Sequence, residues 1–200
     1  TRMRERVPFN SLTIKEVIML LRPYQEVAIS DASKALDKNK NTIVVAPTGA
    51  GKTIMLSALV GSRHKKNKSV LILQHRDELV AQNNVKFGKV NPNISTSIVD
   101  GSQKNWNGDV VFSMVQTLSR ENNLSLMRPI DMLVIDESHH AAAESYKKVI
   151  HKVRNDNPQS EIVGFTATPN RGDKKGLRDV FDNCSHQIHL SNLFREGFLV

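Results

Sequence analysis

Short runs of β-branched and aliphatic residues recur along the chain, at 42–46, 70–74, 97–99, 109–113, 132–135 and 161–165. Most are unbroken apolar stretches rather than alternating ones. Strands buried on both faces of a parallel sheet read this way. Between them the apolar positions take a helical spacing. Tyr24, Val27, Ala28, Ala32, Ala35 and Leu36 share one face of a helix predicted over 23–37, with Pro23 suited to its first turn. Further helices are predicted over 52–64, 77–87, 142–154 and 174–181. Strand–helix alternation of this kind predicts a three-layer α/β fold with a mainly parallel central sheet. The basic run Lys65-Lys66-Asn67-Lys68 reads as a solvated loop.

Composition narrows the class. A chain of 200 residues suggests one domain or at most two small ones, and it buries roughly 70% of its unfolded surface. Hydrophobic content of 39% with 24% charged residues is that of a globular chain. A single cysteine, Cys184, excludes an internal disulfide framework and a cysteine-rich zinc site. The apolar runs are too short to span a bilayer, and no signal peptide is apparent. The expectation is no membrane partner and a cytoplasmic location, or wherever its substrate lies. The 28 Lys+Arg against 20 Asp+Glu leave a net charge of +8, which points to a polyanionic partner. The ends read as those of an excerpt: Thr1 stands where Met would, and the chain stops in the apolar Phe198-Leu199-Val200. The opening Thr1-Arg2-Met3-Arg4-Glu5-Arg6 is Arg-rich, but Glu5 and the lack of a Ser-rich continuation argue against a presequence.

Two motifs carry chemistry. Ala46-Pro47-Thr48-Gly49-Ala50-Gly51-Lys52-Thr53 follows a strand and opens a helix. Gly49 and Gly51 let the backbone curl so that successive N–H groups face phosphate oxygens, and the helix N-terminus adds a positive dipole end. Lys52 places a charge on the β/γ-phosphates, and the Thr53 hydroxyl can ligate Mg²⁺. The strict pattern has Gly where this chain has Ala46, a position at the strand end where Ala is tolerable. The second motif is Met132-Leu133-Val134-Ile135-Asp136-Glu137-Ser138-His139. It places two acids at the C-terminal edge of a buried strand, where open α/β sheets bind ligands. Asp136 can hold Mg²⁺ through water, and Glu137 can orient or deprotonate an attacking water. His139 is read as a hydrogen-bonding relay and His140 as structural.

Together these motifs resemble the first RecA-like domain of a superfamily 2 helicase of the Asp-Glu-x-His type. Leu21-Arg22-Pro23-Tyr24-Gln25 resembles the adenine-recognition motif, with Arg22 in the nucleotide site and Gln25 as the base contact. Gln74-His75-Arg76-Asp77-Glu78-Leu79 resembles motif Ia, and Ser113-Met114-Val115-Gln116-Thr117-Leu118 a later strand-contacting motif. Thr166-Ala167-Thr168-Pro169 resembles motif III, which in the family links nucleotide state to strand binding. The resemblance implies that His139 couples to Thr166 or Thr168. It further implies that Arg76, Gly101, Ser102, Gln116 and Thr117 contact a nucleic-acid strand, mainly through phosphate. It runs from about residue 20 to 200. Residues 1–20 are read as an N-terminal extension, in which Phe9 is an apolar anchor or an aromatic that stacks on adenine; Leu12, Val17 and Leu20, with Leu21 just beyond, suggest a short amphipathic helix. Residues 21–200 are read as the helicase ATP-binding domain.

The stretch after motif III, Thr168-Pro169-Asn170-Arg171 and then Gly176-Leu177 and Phe181-Asp182, is similar to restriction-enzyme motor subunits and TFIIH-type DNA helicases. RNA-directed DEAD-box proteins usually have Asp where this chain has His139. DNA is therefore favoured over RNA. The implied cofactors are ATP and Mg²⁺, and the implied partner is a second RecA-like domain in the parent chain, for which these 200 residues hold no pattern. The rival readings are a nucleotide-regulated nucleic-acid-binding module that never unwinds, and an RNA helicase. With 5% aromatic residues and no aromatic ladder, binding is expected to address the backbone rather than stack bases.

Overall fold

A computed structural model of the chain describes residues 21–64, 68–141, 143–168 and 174–199. The expectations for 1–20, for 65–67 and for Pro169, Asn170 and Arg171 lie outside the described residues, as do those for the side chain of His139. Among the described residues seven strands form one sheet: β1 (Asn41–Val45), β2 (Val70–Gln74), β3 (Thr96–Val99), β4 (Val110–Met114), β5 (Met132–Asp136), β6 (Glu161–Thr166) and β7 (Cys184–Gln187). Their order across the sheet is β3-β4-β2-β5-β6-β1-β7, and every pairing is parallel.

Parallel neighbours need crossovers, and the helices supply them. Helices α1 (Pro23–Asn39), α2 (Lys52–Arg63) and α3 (Asp77–Val90) cover one face. Ala32, Leu36, Met55, Leu59 and Phe87 pack there against Val44, Ile72, Phe112, Val134 and Phe165. The opposite face holds α4 (Val115–Leu118), α6 (Glu144–Asp156) and α7 (Lys174–Val180). Tyr146, Val149, Ile150, Val153 and Phe181 pack there against Leu71, Leu73, Leu133, Ile135 and Ile162. Two cores on a sheet covered on both sides explain the unbroken apolar runs. One-turn α5 (Glu121–Leu124), a 3₁₀ turn at Ser138–His140 and α8 (Leu190–Arg195) complete the layers.

An ionic node ties the first face together. Arg63, at the end of α2, donates to Glu161 Oε2 at 2.9 Å, to Asp37 Oδ1 at 2.8 Å and to Ser33 Oγ at 2.6 Å. It thereby joins α1, α2 and the start of β6 at the edge of the sheet opposite the phosphate loop. Gly164 in β6 lets the other face close up. A Cβ there would lie 2.5 Å from the Ser138 Cβ and 2.8 Å from the Phe181 ring.

Candidate nucleotide and strand site

The register of the sheet assembles the site. Val45 of β1 pairs with Thr166 of β6, and Phe165 of β6 pairs with Asp136 of β5. Ala46, buried at the end of β1, donates its N–H to the Thr166 carbonyl at 2.9 Å. The phosphate loop, the acid pair and Thr166 therefore stand side by side at one sheet edge.

Within the loop, Gly49 and Gly51 have φ of 87° and 83°, a region only glycine enters without strain. Gly51 is also closely approached: a Cβ there would meet the Gln25 amide nitrogen at 2.5 Å. Gln25 is buried. Its Nε2 donates to the Ala50 carbonyl at 2.9 Å, and its Oε1 accepts from the Arg22 N–H at 2.9 Å. Tyr24 donates its hydroxyl to the same Ala50 carbonyl at 2.9 Å, and the Ala50 N–H closes a turn onto the Pro47 carbonyl at 3.1 Å. The motif that opens α1 is thus clamped onto the loop. A cavity of about 690 Å³ opens over it, lined by Thr48, Gly49, Lys52, Thr53 and Glu137 among others.

Glu137 follows β5 with φ 53° and ψ 55°, a left-handed conformation that costs a non-glycine residue of order 1 kcal/mol. Its carboxylate pairs with the Lys52 ammonium. The kink turns the acid out of the strand direction and toward the loop. Asp136 accepts from the Glu137 N–H at 3.0 Å and lies 3.5 Å from Gln74 Nε2. Asn83, 5% exposed on α3, bridges the two expected Mg²⁺ ligands: 3.4 Å to the Thr53 hydroxyl and 3.4 Å to Asp136. Sequence reasoning missed Asn83. Its signal is a polar residue set between Val80 and Phe87 on the apolar face of a helix.

Burial pushes the Asp136 carboxyl above the ordinary carboxylate range; Lys52 opposes the rise and Glu137 adds to it. Asp136→Asn is accordingly expected to stabilise the nucleotide-free protein by about 1 kcal/mol, because the charged form is the disfavoured one. The gain is full above the folded-state pKa of Asp136. It vanishes as pH falls through the unfolded value near ~3.9, where both states carry the neutral acid. Thermal melts of both proteins between pH 3 and 8 check this, and a constant difference across the range would refute it.

Behind the acids, the His75 and His140 rings sit 4.8 Å apart and His140 stacks on Tyr146 at 6.4 Å. Burial, then His140 and Arg76, lower the His75 pKa, with Glu137 opposing. Thr166 is buried and its hydroxyl accepts from the Thr168 N–H at 3.2 Å, which pins the turn after β6.

The other expected contacts follow neighbouring strands at the same edge. Gly101 and Ser102 come after β3, Gln116 and Thr117 after β4, and Arg76 after β2. Arg76, Gly101, Ser102 and Gln116 are exposed, whereas Thr117 is 3% exposed and gives its carbonyl to Asn123. Ser102 is fixed by Asp100, whose carboxylate accepts its N–H at 2.8 Å. Among the described residues no group of three or more His, Cys, Asp or Glu could hold a metal, and no helix is long and apolar enough to cross a membrane.

Comparison with known proteins agrees with this geometry. The family model for the Type III restriction enzyme, res subunit, matches residues 18–171. The chain is 32% identical over 203 residues to irc3 of Schizosaccharomyces pombe, a candidate mitochondrial ATP-dependent helicase, covering 96% of this chain and 33% of that protein. It is 31% identical over 192 residues to IRC3 of Saccharomyces cerevisiae, a candidate ATP-dependent helicase, covering 90% of this chain and 28% of that protein. The chain thus spans a third or less of these two relatives. The crystal structure of the Pyrococcus furiosus Hef helicase domain superposes with a TM-score of 0.75 at 21% identity, covering 92% of this chain and 41% of that one. By the family match and by its fold, the chain belongs to the Type III restriction enzyme res subunit family and is a superfamily 2, RecA-like motor domain.

Proposed function

We propose that residues 21–200 are the ATP-binding half of a DNA-directed helicase or translocase. The observation that carries this is the division of one sheet edge. The ends of β5, β6 and β1 hold the acid pair, Thr166 and the phosphate loop, while the ends of β3, β4 and β2 hold the exposed polar residues expected on a strand. A nucleotide and a phosphate backbone would lie side by side on that edge, and β5 and β2 are hydrogen-bonded neighbours.

The residues suit Mg-ATP. Mg²⁺ favours one or two protein oxygens plus substrate phosphates over an all-protein cage, and Thr53 with Asp136 is such a pair. Bound there, the ion would neutralise charge on the phosphates. Lys52 supplies a point charge to the β/γ-phosphates, and Glu137 orients a water and takes its proton. Arg22 and Gln25 are assigned to the base, Gln25 through the clamp it makes between Arg22 and Ala50. His139 is assigned to coupling with Thr166 or Thr168, and the exposed Arg76, Gly101, Ser102 and Gln116 to the strand, while the buried Thr117 serves the turn that Asn123 holds. A second RecA-like domain of the same protein would supply arginines to the γ-phosphate, each worth about 10³–10⁵-fold in rate. The res-subunit family, together with His139 and the stretch after motif III, supports DNA.

The test is ATP turnover by the whole protein with single-stranded DNA, duplex DNA and RNA in one buffer. Stimulation by DNA above RNA is expected, falling steeply with salt because phosphate contacts dominate. Equal or greater stimulation by RNA would reject DNA as the substrate, and nucleotide binding without turnover would favour the regulated binding module.

A further inference from the structure

The segment Gly197-Phe198-Leu199 turns back onto the nucleotide site. Gly197 has φ of 73°, and the N–H groups of Phe198 and Leu199 both donate to the Leu193 carbonyl, at 2.9 and 3.3 Å. The reversal sets Phe198 beside the motif that opens α1. The Tyr24 ring meets it edge-on with centroids 5.2 Å apart, and the Arg22 guanidinium carbon lies 5.1 Å from its centroid. Arg22 Nη1 also lies 3.4 Å from the Phe198 carbonyl and 3.4 Å from the Tyr24 hydroxyl. Leu199 closes the other side: one of its methyl carbons is 3.0 Å from where a Cβ on Gly49 would be.

Resting on the nucleotide reading above, we propose that Phe198 is a positioning residue that sets the preference for a purine base. Arg22 is exposed and carries a long, flexible stem. Left alone it would have to be ordered each time a base arrived. Phe198 holds the guanidinium carbon over its ring and one donor, Nη1, at its carbonyl before the ligand enters, which removes part of the ordering cost. A guanidinium fixed in this way offers a flat cationic platform, and the larger ring system of a purine overlaps it more than a pyrimidine does. The contacts of Phe198 are with Arg22 and Tyr24, whereas the phosphate-binding groups are Lys52 and the loop backbone. Base affinity and phosphate affinity are therefore separable by mutation.

Equilibrium binding of ATP, CTP and inorganic tripolyphosphate to the intact protein tests this. Phe198→Ala is expected to weaken ATP about tenfold, to leave tripolyphosphate unchanged and to bring the ATP:CTP ratio toward one. Phe198→Leu, which keeps bulk and loses the ring, should behave like Ala, while Phe198→Tyr should retain wild-type ATP affinity. Unchanged ATP affinity in Phe198→Ala, or equal losses for ATP and tripolyphosphate, would overturn the proposal while leaving the nucleotide site standing. Failure of the wild type to bind either ATP or tripolyphosphate would overturn the nucleotide reading and this inference with it.

Discussion

Glu137→Gln in the whole protein is expected to bind Mg-ATP and to hydrolyse it about 10²- to 10⁴-fold more slowly, the range a positioned general base contributes. The amide keeps the size and one oxygen of the carboxylate but cannot accept the proton of the attacking water. The structure adds a reason why the change is local. Glu137 takes its left-handed conformation just after β5, at the head of the 3₁₀ turn at Ser138–His140, so the backbone that aims the side chain does not depend on its charge. The Lys52 partner survives in the variant and remains available for phosphate. Nucleotide affinity by calorimetry, beside phosphate release in the presence of nucleic acid, separates the two effects. Turnover at the wild-type rate would remove Glu137 from the chemistry.

Lys52→Ala should act one step earlier and abolish useful nucleotide binding, by about 10²-fold or more, since truncating one partner of a desolvated charge pair costs roughly 2–5 kcal/mol. Lys52 is the first residue of α2, and its ammonium already rests on an anionic group, the Glu137 carboxylate. That contact marks where a negative oxygen is stabilised beside the loop. A phosphate arriving there would displace Glu137 toward the water it is expected to activate. Unchanged ATP affinity in calorimetry would refute the phosphate-loop assignment.

Much of this was legible in residue order because buried parallel strands write themselves as apolar runs. All six expected strands lie within one residue of their structural ends, and 70–74 coincides with β2. The edge strand β7 was not legible. Cys184-Ser185-His186-Gln187 is polar, pairs among the described residues with β1 alone and has no apolar pattern to betray it. The four-residue helices α4 and α5 and the six-residue α8 are too short to show a period. The loop and the acid pair announced themselves by residue type. The clamp on the loop did not, since Tyr24 and Gln25 reach Ala50 only through the fold. The same holds for Phe198, which meets Arg22 across 176 residues of chain.

The strand order has a consequence for how this chain is made. Among the described residues β1, which carries the phosphate loop, pairs with β6 and β7 and with no other strand. Val44 therefore waits for Phe165 before it has a partner in the sheet. During synthesis from the N-terminus, at about 5–20 residues per second, β1 stays an unpaired apolar segment for many seconds while β2 to β5 are being added. Early in that interval α1 and α2 can cover only one of its faces. Pairings so distant in sequence close slowly, because loop entropy is lost before contacts form. The nucleotide pocket is thus among the last parts of the domain to exist. A ribosome-bound fragment ending before Glu161 should expose β1 to chaperones and show no nucleotide protection in limited proteolysis. One extended past Ile188 and clear of the exit tunnel should acquire it.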